Sequence, residues 1–407
     1  VTPPRLTSRV VGWLVALAAG TCFLVLAAVL VPWHPVPDGL AAVPADSLFT
    51  RAQISRAESY AGQARLLSWS SLALSLIVVV ALAASGLGAA MMRRLPGPWW
   101  VRTVLGVALT LLGVRLVTLP FALLLLRLRR EYGLTTQRVP AFLLDLTVSQ
   151  LVETVGTALV VLLVVGCARR WRTWWPLICA TVLGGLVVLV SFVYPVLVEP
   201  LSNDFTTLGP GQLREEITEL ADEMDVQLDD VVVVDASRRT TTLNAWVSGL
   251  GSTRRVVLYD NLVSEVPGEQ VRSVVAHELA HARHHDVLTG TALGALGAMA
   301  AVGLLGAACT RSDGRRRVTA ATTVPVLLAL LAVGAQVVAP VENSISRRLE
   351  LRADADALAA TEDPEAFVAV QRALALRSLS DPTPPRWSSW WWGSHPGVLE
   401  RVALARR

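Results

Sequence analysis

Lysine is missing from these 407 residues, so the formal net charge of +4 is carried by arginine alone. Charged residues of both signs make up only 17%, well under the roughly 25% of soluble proteins. A solvated, charge-rich chain is excluded, and arginines that flank apolar runs are ordinary in membrane proteins, so nucleic acid is not an expected partner. Four cysteines, Cys22, Cys167, Cys179 and Cys309, fall inside or at the ends of apolar runs with no C-x-x-C spacing. They read as small packing residues, which say nothing of redox compartment. Histidine is also scarce, at six residues, so any regular pattern among the six carries weight.

Apolar sequence fills the space. Hydrophobic residues reach 53%, and the mean hydropathy is +0.52. Runs long enough to cross a hydrocarbon core of about 30 Å fall near 10–31, 72–91, 101–126, 143–167, 175–198, 288–309 and 320–341. A multi-pass integral membrane protein is implied, with the lipid bilayer as its partner. The first run follows Arg5 and Arg9, but its core is longer than the usual 7–15 residues of a signal peptide, so it reads as a retained anchor. Arg115 is the clearest charge within a run. The loops after the second, fourth and sixth runs carry Arg93, Arg94 and Arg102, then Arg169, Arg170 and Arg172, then Arg311, Arg315, Arg316 and Arg317. By the positive-inside rule these are cytoplasmic and both polar segments lie opposite. Arg127, Arg129, Arg130 and Arg138 after the third run pull the other way.

The first polar segment opens with Leu213, Ile217, Leu220 and Met224 at helical spacing. A strand at 231–234 follows, then a hairpin pairing 241–247 with 255–259 across the glycine-containing loop 248–252. Pro267 suits the first turn of a helix that runs through His277-Glu278-Leu279-Ala280-His281. On a helix the two histidines stand one turn apart on one face, roughly 6 Å from each other, and can share one Zn²⁺. Glu278 beside them is placed to take a proton from an attacking water. A chance His-Glu-x-x-His is expected about once in a few hundred such chains. His285 follows on the same helical face, about 6 Å farther along the axis than His281, and is not expected to reach the metal.

Hydrolytic zinc takes three protein side chains and leaves one position open. After the seventh run, 347–357 reads as a helix with Glu350 and Asp354 on one face. Two acids among arginines are more often a salt-bridged solvated face. The Trp387, Trp390, Trp391 and Trp392 cluster reads as a headgroup-level anchor, with a part in admitting substrate as the alternative.

Taken together, the chain resembles integral-membrane zinc metallopeptidases of the CaaX prenyl protease type and, more distantly, HtpX-like membrane proteases. The resemblance runs from Phe49 to Arg401 and rests on the His277–His281 motif, Glu350-x-x-x-Asp354, the stretch from Tyr194-Pro195 through Pro200-Leu201 to Phe205, Thr242–Trp246 leading to Arg255–Asp260, and Ser394-His395-Pro396 with Arg401 beyond. Two departures, Trp246 for a tyrosine or phenylalanine and Gly397 for a second proline, touch regions that shape substrate choice.

The resemblance implies a mainly α, seven-transmembrane-helix protein with a small α+β zinc-metallopeptidase domain at the membrane boundary, in a bacterial plasma membrane. Its parts would be 1–198 with five spans, 199–287 with the substrate strands and motif helix, 288–341 with two further spans, and 342–407 with the third ligand. It also implies one Zn²⁺ per chain held by His277, His281 and Glu350, with Asp354 and Arg401 behind the ligands. Glu278 is then the base, His395 the oxyanion donor, and Asn244, Ala245 and Trp246 bind substrate backbone. A peptide or membrane-protein substrate would reach zinc from a chamber enclosed by the spans. The rival readings are a multi-pass transporter or signalling protein, an intramembrane metalloprotease whose motif lies within a span, and a catalytically silent scaffold. Acids that cluster in the polar segments rather than the spans speak against the first, and the polar residues Glu269, Arg272 and Asp286 around the motif speak against the second. Every residue that hydrolysis requires is present, which speaks against the third.

Overall fold

The computed structural model describes all residues except 1–5, 37–40, 198, 202, 250 and 310–318. Arg5, Leu250 and the arginines at 311 and 315–317 lie outside the described residues. The N-terminal half comprises α1 (Ser8–Leu30), α2 (Arg51–Ala84), α3 (Leu87–Arg94), α4 (Trp99–Glu131), α5 (Val139–Arg170) and α6 (Trp175–Leu197). The polar segment adds β1 (Phe205–Thr207), α7 (Gln212–Glu223), β2 (Asp230–Val234), β3 (Ala245–Ser248), β4 (Arg255–Tyr259), α8 (Asp260–Glu265) and α9 (Gly268–Arg283). After it come α10 (Asp286–Ala308), α11 (Val324–Thr361), α12 (Pro364–Ser378), α13 (Arg386–Trp392) and α14 (Val398–Ala405).

Among the described residues seven helices, α1, α2, α4, α5, α6, α10 and α11, are long and apolar enough to cross a membrane. Their large side chains point outward, with Leu24 68% and Val29 74% exposed. That inversion suits hydrocarbon as the solvent, where helices satisfy every backbone polar group internally. The chain is a multi-pass integral membrane protein.

Three boundaries differ from the hydropathy reading. The second span begins at Arg51 rather than near 72, because a capping box between Thr50 and Gln53 starts a 34-residue helix whose polar first half extends beyond the apolar stretch. It ends at Ser85, and Gly86, with φ of 75°, turns the chain into the separate α3. The seventh span does not stop near 341, for α11 runs unbroken through 38 residues with Pro340 inside it. The third difference lies in the sheet.

That sheet has the order β1-β2-β4-β3. β2 and β4 are parallel, and β1 and β3 flank them antiparallel. β3 starts at Ala245, not 241, because the preceding residues are bonded elsewhere. Thr241 N donates to Leu134 O at 3.2 Å, and Thr135 Oγ1 donates to Arg239 O, which docks the α4–α5 loop beside the polar segment. β3 is therefore an edge strand, paired with β4 alone. Ile217, Leu220, Val256, Leu258, Val271, Val275 and Leu279 form the core between the sheet, α7 and α9.

Arg115 lies mid-span on α4, where its Nε donates to Gln150 at 2.6 Å and it pairs with Glu153 at 3.2 Å on α5. α10, which follows directly on α9, is clamped to α1 through small residues. A Cβ on Gly303 would stand 2.5 Å from Ala16 N, and one on Gly12 would stand 2.5 Å from Ala307 N. Gly12-x-x-x-Ala16 thus meets Gly303-x-x-x-Ala307, the close approach that packs helices in lipid. Gly303→Val should lower stability by about 1–3 kcal/mol, as overpacking does elsewhere. Gly297→Ala, with nothing within 4 Å, should melt near the parent temperature in the same detergent.

Candidate metal centre

Helix α9 buries Val271, Val275, Ala276, Leu279 and Ala280, and this packing turns His277 and His281 to the opposite side. Their rings meet edge-on with centroids 4.8 Å apart, and their Nε2 atoms approach to 3.2 Å. α11 brings Glu350 to them from a distant part of the chain. Its Oε2 lies 3.3 Å from His277 Nε2 and its Oε1 3.5 Å from His281 Nε2. One ligand atom from each of the three residues falls within 4.8 Å of the others.

Both imidazoles are held from behind. His277 Nδ1 is 2.9 Å from Asp354 Oδ1, and His281 Nδ1 is 2.9 Å from Asp286 Oδ2. An ionised carboxylate can only accept, so each Nδ1 carries the hydrogen and each neutral ring turns a lone pair inward from Nε2. Glu350 adds further lone pairs, and its Oε2 is buried without a hydrogen-bond partner despite its 3.3 Å approach to His277. Two imidazole lone pairs and a carboxylate at this spacing repel one another unless a cation or a proton stands between them. Burial opposes charge on His281, but contacts with Asp286 and Glu350 and the charge of Glu278 overcome it, so that without a cation its pKa is pushed up to about 10. The same balance raises His277, with Asp354 and Glu350 outweighing burial and the opposing charge of Arg401. The His₂Glu donor set therefore fits a divalent metal of the kind hydrolases use.

The carboxylates behind the histidines are themselves braced. Arg401 of α14 grips Asp354 with both ends of its guanidinium, Nε at 2.8 Å from Oδ2 and the second nitrogen on Oδ1, a bidentate fork. Asp354 is fully buried. Arg352 of α11 donates to Asp286 Oδ1. Asp286 was not singled out among the site residues from sequence, where it read only as polar surroundings. It reaches His281 because α9 ends at Arg283 and His285 turns left-handed, with φ of 55°. That corner also takes His285 off the ligand face, where continuous helical spacing had put it, and its Nδ1 meets Arg254 at 3.1 Å instead.

Glu278 lies in a cleft of about 270 Å³ lined by Trp246, Val247, His281 and His285 among others. Burial raises its carboxyl above the usual range, while charge on His277 and His281 opposes this. Trp246 of β3 borders the same cleft, its ring packed with Val257 and Tyr259 on the sheet face opposite α9. Ala245 beside it is buried, and Asn244 O already accepts from Tyr259 N at 3.1 Å.

The tail returns over the site. Trp391 Nε1 donates to Gln336 O at 3.1 Å, Arg347 donates to Ser389 O and Gly393 O, and Trp387 and Trp392 pack on Trp69 of α2 at 4.6 and 5.2 Å. The tryptophans pin α13 to α2 and α11, a contact role that composition did not suggest. The chain then delivers His395, whose Nε2 lies 3.4 Å from Glu350 Oε1 and whose Nδ1 lies 2.8 Å from Ser394 Oγ. Partial desolvation of this largely exposed ring, with the charges of Arg401, His277 and His281, lowers the His395 pKa against the attraction of Glu350. The site thus gathers Glu278, His277, His281, Glu350, His395, Asp354, Arg401 and Trp246.

Known proteins match this arrangement over both halves. Residues 208–407 match the model of Peptidase family M48, and residues 31–204 match that of the CAAX prenyl protease N-terminal, five membrane helices. The "Uncharacterized metalloprotease YhfN" of Bacillus subtilis (strain 168) is 28% identical over 387 residues, 91% of this chain and 90% of that protein. The CAAX prenyl protease 1 homologs of Arabidopsis thaliana and Homo sapiens are 31% and 26% identical. Those alignments cover 53% of this chain and 52% and 54% of the relatives, so the chain spans about half the length of each. The crystal structure of S. mikatae Ste24p superposes with a TM-score of 0.79 over 99% of this chain and 100% of that one, at 19% identity, a likeness of fold. With both halves accounted for and a bacterial metalloprotease aligned along nearly its whole length, this chain belongs to peptidase family M48 as a membrane metalloendopeptidase of the CAAX prenyl protease type.

Proposed function

We propose that His277, His281 and Glu350 hold one zinc ion per chain, and that the protein hydrolyses peptide bonds of hydrophobic or membrane-associated substrates, in a bacterial plasma membrane. The observation that carries this reading is the convergence of three inward-facing donors with Glu278 beside them. When bound, zinc supplies Lewis acidity that polarises the scissile carbonyl and acidifies water. The rest is the work of side chains. Glu278 accepts a proton from the attacking water and returns it to the leaving amine. Its burial-raised carboxyl favours holding that proton in between. His395 donates from Nε2 to the oxygen that gains charge as the carbonyl becomes tetrahedral. Asp354 with Arg401, and Asp286 with Arg352, keep the two ligand rings in one tautomer and one orientation. The free edge of β3 at Ala245 and Trp246 pairs with an extended peptide, Asn244 contributing its exposed side chain. The eukaryotic relatives are named for CAAX prenyl substrates; for this chain a lipid-modified or simply apolar peptide fits the same membrane-boundary site.

Each role has its own signature. Glu278→Gln should retain about one zinc per chain and lose nearly all turnover, whereas His281→Ala should lose both; near-parental hydrolysis by Glu278→Gln would sink the reading. Chelator competition should find zinc affinity lost most in Glu350→Ala. Asp354→Ala and Asp286→Ala should each weaken it by about 10–100-fold, and equal retention in all three would count against the ligand set. His395→Ala should spare zinc content and melting temperature while lowering turnover by about 10²–10³. Unchanged turnover would remove His395 from the chemistry and leave it a tail-folding residue.

A further inference from the structure

Beside the cleft of Glu278 lies a second one of about 350 Å³, reaching from α6 to the end of β3. The two share Val247, Gly249 and Val287 as walls, so they adjoin along the free edge of β3. At the far end stands Glu199, with only 13% of its side chain exposed. Ser248 Oγ donates to its Oε2 at 3.0 Å. Arg255 reaches that same oxygen only at 3.8 Å, beyond a hydrogen bond, with its guanidinium 4.8 Å over the Phe205 ring. Arg255 thus pairs with this carboxylate by charge alone, and among the described residues no cation donates a hydrogen bond to it, so a cation that did would be held more tightly.

The remaining walls say what would complete it. Val190, Val247 and Val287 are aliphatic, and Tyr194 is 49% exposed beside them. A lysine or arginine side chain matches this layout, its alkyl stem against the valines and its cationic head at Glu199, with the Tyr194 ring as a further attraction. An acidic side chain would be repelled. Register gives the position. Trp246 lines the first cleft and Ser248 the second, two strand residues or about 7 Å apart and on the same face. We propose that Glu199 and its groove form a subsite for a basic side chain of the peptide substrate, two residues along the strand from the one opposite Trp246. The subsite rests on the peptidase reading above, but it can be tested apart from it.

The test uses one apolar host peptide in which each position in turn is Arg, Lys, Gln or Glu. Zinc-loaded full-length protein supplies kcat/KM for each peptide, and Glu278→Gln supplies Kd without turnover. At one position Arg and Lys should exceed Gln by about tenfold, the value of one charged hydrogen bond, and Glu should fall below Gln. Glu199→Gln should bring that ratio to about one. Glu199→Arg should reverse it in favour of Glu, with zinc content and melting temperature confirming an intact fold. Equal affinity at every position, or a basic preference that survives both substitutions, would overturn the subsite. Basic-selective binding without cleavage by the parent chain would support the subsite and count against the peptidase reading; cleavage without basic preference would do the reverse.

Discussion

Mutual repulsion among inward-facing electron pairs governs this molecule. Two imidazole nitrogens stand 3.2 Å apart with a carboxylate against both, an arrangement that no packing force favours by itself. It persists because both rings are gripped from behind by something rigid. Asp354 and Asp286 set the rings, and Arg401 and Arg352 set the aspartates. Each arginine also cancels a charge that would be expensive to bury alone. The centre is thus an alternation of positive and negative groups, stable only as a whole.

That alternation recruits distant parts of the chain. α9 supplies the histidines, the corner after it supplies Asp286, α11 supplies Glu350, Arg352 and Asp354, and α14 supplies Arg401. The membrane helices serve the same end by fixing directions. The glycine contact between α1 and α10 holds the helix that begins with Asp286. The tryptophan-bound α13 fixes where the tail crosses back to place His395.

Much of this was legible in the residues. Seven spans follow from hydropathy because lipid demands long apolar helices, and the motif histidines follow from helical spacing. That Glu350 and Asp354 stand beside the motif histidines could be expected through resemblance but not by spacing, since two acids on a helix look like any solvated face. Asp286 was beyond reach for a different reason. Its role depends on a left-handed histidine at 285, a conformation that a non-glycine residue adopts through tertiary context. The late start of β3 was hidden likewise, because Thr241 pairs with a loop more than a hundred positions away. Helix ends went astray where a polar helix and an apolar one share an axis, as in α2 and α11, since hydropathy marks the solvent and not the hydrogen bonding.

The unbroken α11 has a mechanical consequence. Its lower part must match the thickness of whatever bilayer surrounds it, and spanning helices meet mismatch by tilting. Glu350 stands nine residues past Val341, about 13.5 Å along the axis, so a tilt of about 10° about that point would carry its carboxylate some ~2.4 Å sideways, far outside the ±0.2 Å that metal ligation tolerates. The bonds from Arg352 to Asp286 and from Arg401 to Asp354 hold the upper end still. Pro340, which lacks an amide hydrogen to give to the turn below, removes one rung of the helix ten residues before Glu350, so the rod is least stiff between the bilayer-spanning stretch and the site.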